Sequence, residues 1–332
     1  MINLNKLPVD QKPVDKKYTD DELVEAIVTE EIVRDEVLCE LSTIERACSS
    51  YMNLSVLGRI KDQMPDDALW ETYSEEAWNV NETIKNVLEK FRIFFKKVFN
   101  YIGSFVIMRI KASTTVIQTW QSTLGDTQVD KDKIAKIFED LTDTKYPPVE
   151  SLINCLNHAA KAYTELSNKV NQIKTMTNPP GNSDAEQNKL AENLKIEEIP
   201  AYKEYMKLYE DVVNRLPSGE KDGKEGVSYI EGKWNDVASI DNLVKACQQV
   251  TSSLLNIKRL QANCDAIVAE LSKPKDTPDE GLKNLNNEKI KFLKTFSKTV
   301  LSGMMSGMAK ITSVGAKACN TFNGKYSTKP KE

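Results

Sequence analysis

Apolar residues recur at steps of three and four along most of this chain, and few residues interrupt that rhythm. Only 13 glycines and 12 prolines occur in 332 residues, so helices can run long without a break. No segment alternates apolar and polar side chains between turn signals, as a half-buried strand does. The sequence therefore predicts an all-α fold, an elongated bundle of long antiparallel helices with short helices and loops at the ends.

The periodicity is clearest in two segments of the chain, and each predicts a helix with one buried face. The stripe of the first comprises Val149, Leu152, Ile153, Leu156, Ala160, Tyr163, Leu166, Val170 and Ile173. The stripe of the second comprises Leu243, Ala246, Cys247, Val250, Leu254, Ile257, Leu260, Cys264, Ile267 and Leu271.

Turn signals and composition divide the chain into five regions. We predict an extended N-terminal arm over residues 1–18 and one half of a helical bundle over 19–177. A linker with short helices follows over 178–226, where Asn-Pro-Pro-Gly-Asn-Ser is the clearest break. A helical hairpin over 227–320 completes the bundle, and residues 321–332 form a polar tail.

Breaks and caps place the individual helices of the N-terminal half. Thr19 and Glu22 form a capping box that starts a helix with one acidic face, ending near Tyr51. A second helix runs from Ser74 to about Thr123, and Gly103 is its only internal weak point.

Further helices follow to the end of the chain. They are predicted over 131–141, from Pro148 to 177, over 184–195, over 198–215, over 227–272 and over 281–319. Pro148 suits a first helical turn because that position needs no N–H group.

Charge alternates in blocks along the chain. Residues 1–84 carry 8 basic and 19 acidic side chains, and residues 85–122 carry 7 basic and 1 acidic. Residues 123–272 carry 18 basic and 24 acidic, and residues 273–332 carry 12 basic and 5 acidic. Blocks of opposite sign attract each other within a molecule or between neighbours in an assembly, although solvated helix faces produce the same pattern.

The sequence contains no motif for catalysis or for a cofactor. His158 is the single histidine, so a His-Glu-x-x-His zinc site cannot form. A Ser–His–Asp or Cys–His triad would have to use His158, and no nucleophile motif such as Gly-x-Ser-x-Gly is present. No glycine-rich phosphate loop occurs. We therefore predict no catalytic, cofactor-binding or metal-binding residue, no small-molecule substrate and no enzyme activity.

The cysteines and the N-terminus agree with a protein made in the cytosol. None of the six cysteines belongs to a Cys-x-x-Cys pair, so buried free thiols are expected. The first 17 residues lack the apolar stretch of a signal peptide, and no transmembrane helix is predicted.

The strongest candidate interaction surface is an aromatic and basic segment over residues 82–111. It combines a cluster of aromatic rings with lysines, and we select Phe91, Phe94, Phe95, Lys96, Lys97, Phe99 and Phe105. Such a helix could lie on an anionic membrane or follow nucleic-acid phosphates non-specifically. The alternative is a core helix whose lysines reach solvent at its edges.

A second candidate lies in residues 289–317. Gly303 and Gly307 form a Gly-x-x-x-Gly motif, with Met304 and Met308 beside them. Small residues at this spacing allow two helices to approach closely, and methionine tolerates an imperfect fit. The pattern predicts close packing against another helix, in the same chain or a neighbour.

The layout of residues 75–125 resembles the helical internal-head (inner-core) proteins of large tailed bacteriophages. An acidic start leads into Ile84-Lys85-Asn86-Val87-Leu88 and then Phe94-Phe95-Lys96-Lys97-Val98-Phe99, and long polar helices follow. The resemblance implies a non-enzymatic virion protein. The expected function is thus structural or in assembly, with protein partners or self-assembly. The alternative is a membrane-interacting helical protein, toxin-like or translocator-like, using residues 91–111 or 292–311.

Overall fold

The computed structural model of the protein describes residues 80–126, 128, 130–141, 146–176, 195–196, 199–215, 229–272, 280–298 and 304–327. The N-terminal arm, the helix predicted from Thr19, the 178–183 linker and all but Lys195 of the helix predicted over 184–195 lie outside the described residues. Nearly all of the described part is helical and no strand element occurs in it, which confirms the all-α prediction. The division into five regions stays a prediction, apart from the boundary of the polar tail.

The long helix predicted to end near Thr123 is present, with a defect at its weak point. Helix α1 spans Val80–Tyr101, a π-helical segment spans Ile102–Val106, and helix α2 spans Ile107–Gly125. The π segment contains Gly103. Because a π turn adds a residue to the helical repeat, it rotates the face that α2 presents relative to α1.

The next helices follow the predicted order. Helix α3 is Lys131–Asp140, helix α4 is Val149–Thr175 and helix α5 is Pro200–Val213. Pro148 lies one position before the helix rather than in its first turn, with extended backbone, and the Val149 N–H donates to the Gly232 carbonyl oxygen at 3.0 Å.

The prediction of a single helix over 227–272 is wrong. Residues 229–235 form turns, helix α6 spans Val237–Leu254, and helix α7 spans Ile257–Leu271 after a break at residues 255–256. Lys233 adopts a left-handed conformation with φ 59°, which ends any helical run. The Asp236 carboxylate then accepts from the Ser239 N–H at 3.0 Å and caps α6.

The last predicted helix is described in two parts, on either side of residues 299–303, and extends further than expected. Helix α8 spans Glu280–Lys298 and helix α9 spans Ser306–Ser327, preceded by π-helical Met304 and Met305. The helix was predicted to end at Cys319 and the polar tail to begin at residue 321. Both predictions are wrong, because Phe322 is fully buried and its helix continues to Ser327.

The core lies between α2, α4, α6 and α9. Helix α2 packs on α6 and α9, α4 packs on α5 and α6, and α1 packs on α7. The two predicted apolar stripes are buried, apart from half-buried Ile153 and Leu271. Gly315 on α9 lies at the centre, where an added Cβ would lie 3.2 Å from the Ile117 Cδ1 atom and 3.4 Å from the Leu243 Cδ2 atom.

Helices α2 and α9 run in the same direction rather than antiparallel. Arg109 near the start of α2 bonds to Ser313 near the start of α9, and Thr123 near the end of α2 bonds to Asn323 near the end of α9. The pairing of neighbouring helices therefore differs in part from an up-and-down bundle.

An aromatic cluster closes one end of the core around Phe322. The centroid of its ring lies 4.5 Å from that of Tyr229, 5.0 Å from that of Phe138 and 5.2 Å from that of Trp120. The Trp120 indole N–H donates to the Trp234 carbonyl oxygen at 3.1 Å. These contacts join α2, α3 and α9 to the turn before α6.

Candidate functional site

The aromatic rings of the 82–111 segment are buried, so the structure favours the core alternative for them. Phe91, Phe94, Phe95 and Phe99 are almost wholly inaccessible to solvent, and Phe105 packs against the core while half-buried. Successive rings lie face to face or tilted, with the Phe91 and Phe95 centroids 5.8 Å apart. These rings pack α1 against the rest of the protein and are not exposed on the surface for a partner to contact.

The lysines selected from the same segment lie at the solvent side. Lys96 is exposed and Lys97 is half-buried. Ile93 and Met108 are exposed apolar residues nearby on the same long helix. The surface of this helix is therefore basic with scattered apolar groups, while its aromatic face is internal.

The glycine motif packs closely against another helix of the same chain. Gly303 lies outside the described residues, whereas Gly307, Met304 and Met308 are buried at the start of α9. A Cβ added at Gly307 would collide with the Tyr205 hydroxyl of α5 and lie 3.1 Å from the Tyr209 Cε2 atom. The partner that approaches this glycine is thus a tyrosine side chain of α5.

The described cysteines are poor nucleophiles. Burial raises the pKa of Cys155 and Cys247 to about 12, and raises the pKa of Cys264 and Cys319 well above the usual value. A thiol with such a pKa stays protonated at neutral pH, and only the thiolate reacts readily. Cys39 and Cys48 lie outside the described residues.

The one histidine takes part in local packing. The Nδ1 atom of half-buried His158 lies 2.9 Å from the Asn154 carbonyl oxygen, one turn earlier in α4. Beside this turn, an open, shallow groove between α4 and α6 is lined by amides and charged groups, including Asn154, Asn157 and Asn242. His158 does not line it. No cluster of three or more metal-ligating side chains occurs in the described part of the chain.

Helices α2 and α9 pack side by side, and the charged side chains of both helices are all basic. The solvent side of α2 carries Met108, Lys111 and Thr115, and that of α9 carries Lys310 and Lys317. These positions follow steps of three, four or seven residues, so each set shares one helical face.

A hydrogen bond from a basic side chain of α2 joins that helix to α9. The Arg109 Nε–H donates to the Ser313 Oγ atom at 3.1 Å, and Ser313 lies between Lys310 and Lys317 on α9. Neither α2 nor α9 contains an aspartate or a glutamate. The sequence signal was available, since both segments lack acidic residues, but their juxtaposition depends on the tertiary fold.

Within the described residues, no helix has the length and apolar character needed to cross a bilayer.

The chain matches no protein-family model, no curated protein and no solved structure.

Proposed function

We propose that the chain is a non-enzymatic structural or assembly protein that works through helix packing and charge complementarity. The observation that carries this proposal is that α2 and α9, two packed helices, carry only basic charged side chains. The chain also carries the opposite charge, because residues 1–84 hold 19 acidic and 8 basic side chains. A protein that segregates charge in this way can attract other copies of itself or oppositely charged proteins.

The chemistry of the interior supports the non-enzymatic part of the proposal. The described thiols and the Tyr163 and Tyr205 phenols are buried with raised pKa values. Groups in that state fill space in a core and are unsuited to proton or group transfer at neutral pH.

The narrower form of the proposal is a component of a phage virion interior. Its support is the resemblance of residues 75–125 to helical internal-head proteins, and charge-driven packing is compatible with such a role.

The membrane alternative has less support. It requires residues 91–111 or 292–311 to offer apolar side chains to lipid, yet Phe91, Phe94, Phe292 and Phe296 are fully buried. Exposing them would break the core, at about 1.5–3 kcal/mol for each ring. Flotation with anionic liposomes at low salt tests this alternative, and we expect the protein to stay unbound.

Size-exclusion chromatography with light scattering tests the proposed function. We expect species larger than a monomer at low salt, or a protein partner in pull-downs, with association weakening as salt rises because exposed charges are screened. A protein that stays monomeric at every salt concentration and captures no partner would contradict the proposal.

A further inference from the structure

The open groove between α4 and α6 is lined by four side-chain amides. Exposed Asn154 and half-buried Asn157 line it from α4, and exposed Asn242 and Gln249 line it from α6. We name the groove lined by these residues the α4/α6 amide groove. Its volume of about 460 Å³ lies within the range of roughly 300–1,000 Å³ that ligand sites in proteins occupy. Every described residue of the lining belongs to α4, α6 or the turn before α6.

The chemistry of the four amides suits the main chain of a peptide. A side-chain amide carries two N–H donors and a carbonyl acceptor, so it can donate to a peptide carbonyl and accept from a peptide N–H. Within the part of the chain that the structure describes, none of the four amides is engaged in a hydrogen bond with another side chain or with the backbone. Half-buried Ile153 and buried Ala246 supply the apolar part of the lining, against which an aliphatic side chain can pack.

The spacing of the amides matches an extended chain. Asn242 and Gln249 lie on one face of α6, seven positions apart, which is about 10.5 Å along the helix axis. An extended chain advances about 3.3 Å per residue, so the groove spans about three of its residues. Because α4 and α6 contribute amides from two sides, the N–H and C=O groups on both edges of such a chain have partners.

Lys233 lines the end of the groove where α4 and α6 begin, as does Glu150. Its backbone is left-handed, with φ 59°, a strained conformation for a residue with a side chain. The turn imposes this conformation, because the Lys233 N–H donates to the Ile230 carbonyl oxygen at 3.0 Å and the indole N–H of fully buried Trp234 donates to the Pro147 carbonyl oxygen at 3.2 Å. Strain that the surroundings impose is concentrated at functional sites, and here it places an exposed ammonium group at the groove.

We infer that the α4/α6 amide groove binds an extended peptide segment of another protein, with Lys233 contacting a carboxylate of that segment. The lining contains two lysines and one glutamate, so an acidic segment is favoured over a basic one. The second lysine, Lys245, already pairs with the Asp241 carboxylate at 2.5 Å, which leaves Lys233 to take the carboxylate. Nucleic acid has less support, because no aromatic side chain belongs to the described lining and single strands bind by stacking their bases on aromatic rings. The inference adds a site to the proposed function and does not depend on it.

The test uses the full-length chain and two matched triple variants. The groove variant removes three amides of the lining: Asn154→Ala, Asn157→Ala and Asn242→Ala. The control variant removes three exposed amides of α4 and α6 that lie outside the lining: Asn168→Ala, Asn171→Ala and Gln248→Ala. Alanine favours a helix at all six positions, and circular dichroism with thermal unfolding establishes that both variants are folded.

The probe is a library of short random peptides displayed on phage and selected on the wild-type chain. Enriched peptides are then labelled and their affinity is measured by fluorescence anisotropy. We expect these peptides to share an acidic residue and to bind the control variant as tightly as wild type. They should bind the groove variant at least about tenfold more weakly, because each lost hydrogen bond weakens binding.

A fourth protein, Lys233→Gly, separates a binding role of this lysine from a structural one. Glycine adopts the left-handed conformation without strain, so this variant should unfold at the same temperature as wild type or a higher one. The enriched peptides should nevertheless bind it about three- to fivefold more weakly, the effect of losing one exposed charge pair. A purely structural lysine would leave the affinity unchanged.

Three results would overturn the inference. If no peptide is enriched, or if the enriched peptides bind the groove variant as tightly as wild type, the groove is not a peptide site. If Lys233→Gly leaves the affinity unchanged, Lys233 does not contact the peptide. If a single-stranded oligonucleotide binds wild type but not the groove variant, and no peptide does, the groove is a nucleic-acid site. Each of these results leaves the proposed assembly function standing, because light scattering tests that function separately.

Discussion

The buried cation Lys289 provides a sharp test of how the C-terminal helices are held together. Its side chain is fully buried, and its ammonium group donates to the Met176 carbonyl oxygen at 3.1 Å and to both carboxylate oxygens of Glu270 at 3.2 Å. The three N–H donors of the lysine thus have three acceptors. The contact joins α8 to the last turn of α7 and to the carbonyl just after α4.

The magnitudes predict unequal effects for the two partners. At 3.2 Å the Coulomb attraction is about 5 kcal/mol for an effective dielectric constant of about 20, and burying the ammonium costs several kcal/mol in lost hydration. Removing the carboxylate by Glu270→Ala leaves that cost uncompensated. Because Glu270 is 37% exposed and water can replace part of it, we expect a loss of about 2–3 kcal/mol, below the usual range for breaking a buried pair.

Lys289→Met should be milder than Glu270→Ala. Methionine keeps most of the side-chain volume and removes the buried charge, while Glu270 can turn to water, so we expect a loss of about 1 kcal/mol or less. Urea unfolding followed by circular dichroism measures both variants, with Lys291→Met as an exposed control on α8. If Lys289→Met is as destabilising as Glu270→Ala, the ion pair contributes more net stability than its desolvation cost allows, which would refute the predicted difference.

Three further predictions concern packing, capping and pH. Gly307→Ala should destabilise the protein by about 1–3 kcal/mol, because the new methyl group collides with the Tyr205 hydroxyl. Adding Tyr205→Phe to this variant should recover part of the lost stability, and thermal unfolding of the single and double variants measures both effects. Asp236→Ala should cost about 1 kcal/mol by removing the cap of α6, whereas Asp236→Asn should cost less, as measured by urea midpoints. Stability should fall as pH rises above 9, because the folded pKa of Cys155 and Cys247 is about 12 against an ordinary value of 9.0, so the unfolded chain releases protons first. Each thiol contributes at most about 1.4 kcal/mol per pH unit, and a double alanine variant should show a shallower alkaline decline in urea unfolding.

Helical periodicity was enough to predict the fold class and most of the buried residues. The stripe over residues 149–173 and the stripe over residues 243–271 became core faces, because a helix repeats its neighbours every three to four residues wherever it packs. The same reasoning placed the defect in the long helix at Gly103, since a residue without a side chain tolerates an altered helical repeat.

Breaks that depend on distant contacts were not predictable in this way. Leu254 and Ile257 are buried on either side of the break at residues 255–256. The helical spacing of apolar residues in the sequence therefore continues across a point where the helix itself is interrupted. Before α6, the turn is held by the Trp120 and Val149 N–H groups donating to carbonyl oxygens of the 229–235 segment. Those donors lie more than 80 positions away, beyond any local signal.

The sequence by itself determined that this protein is helical, where its charge blocks lie and which side chains are apolar enough to be buried. Only the tertiary structure decided that the aromatic face of residues 91–105 points into the core and that the acid-free helices α2 and α9 lie side by side. The physical reason is that propensity and periodicity act within a few residues of the chain. The sign and extent of a surface, in contrast, depend on which helices lie side by side, and Arg109 and Ser313 meet across 204 positions of sequence.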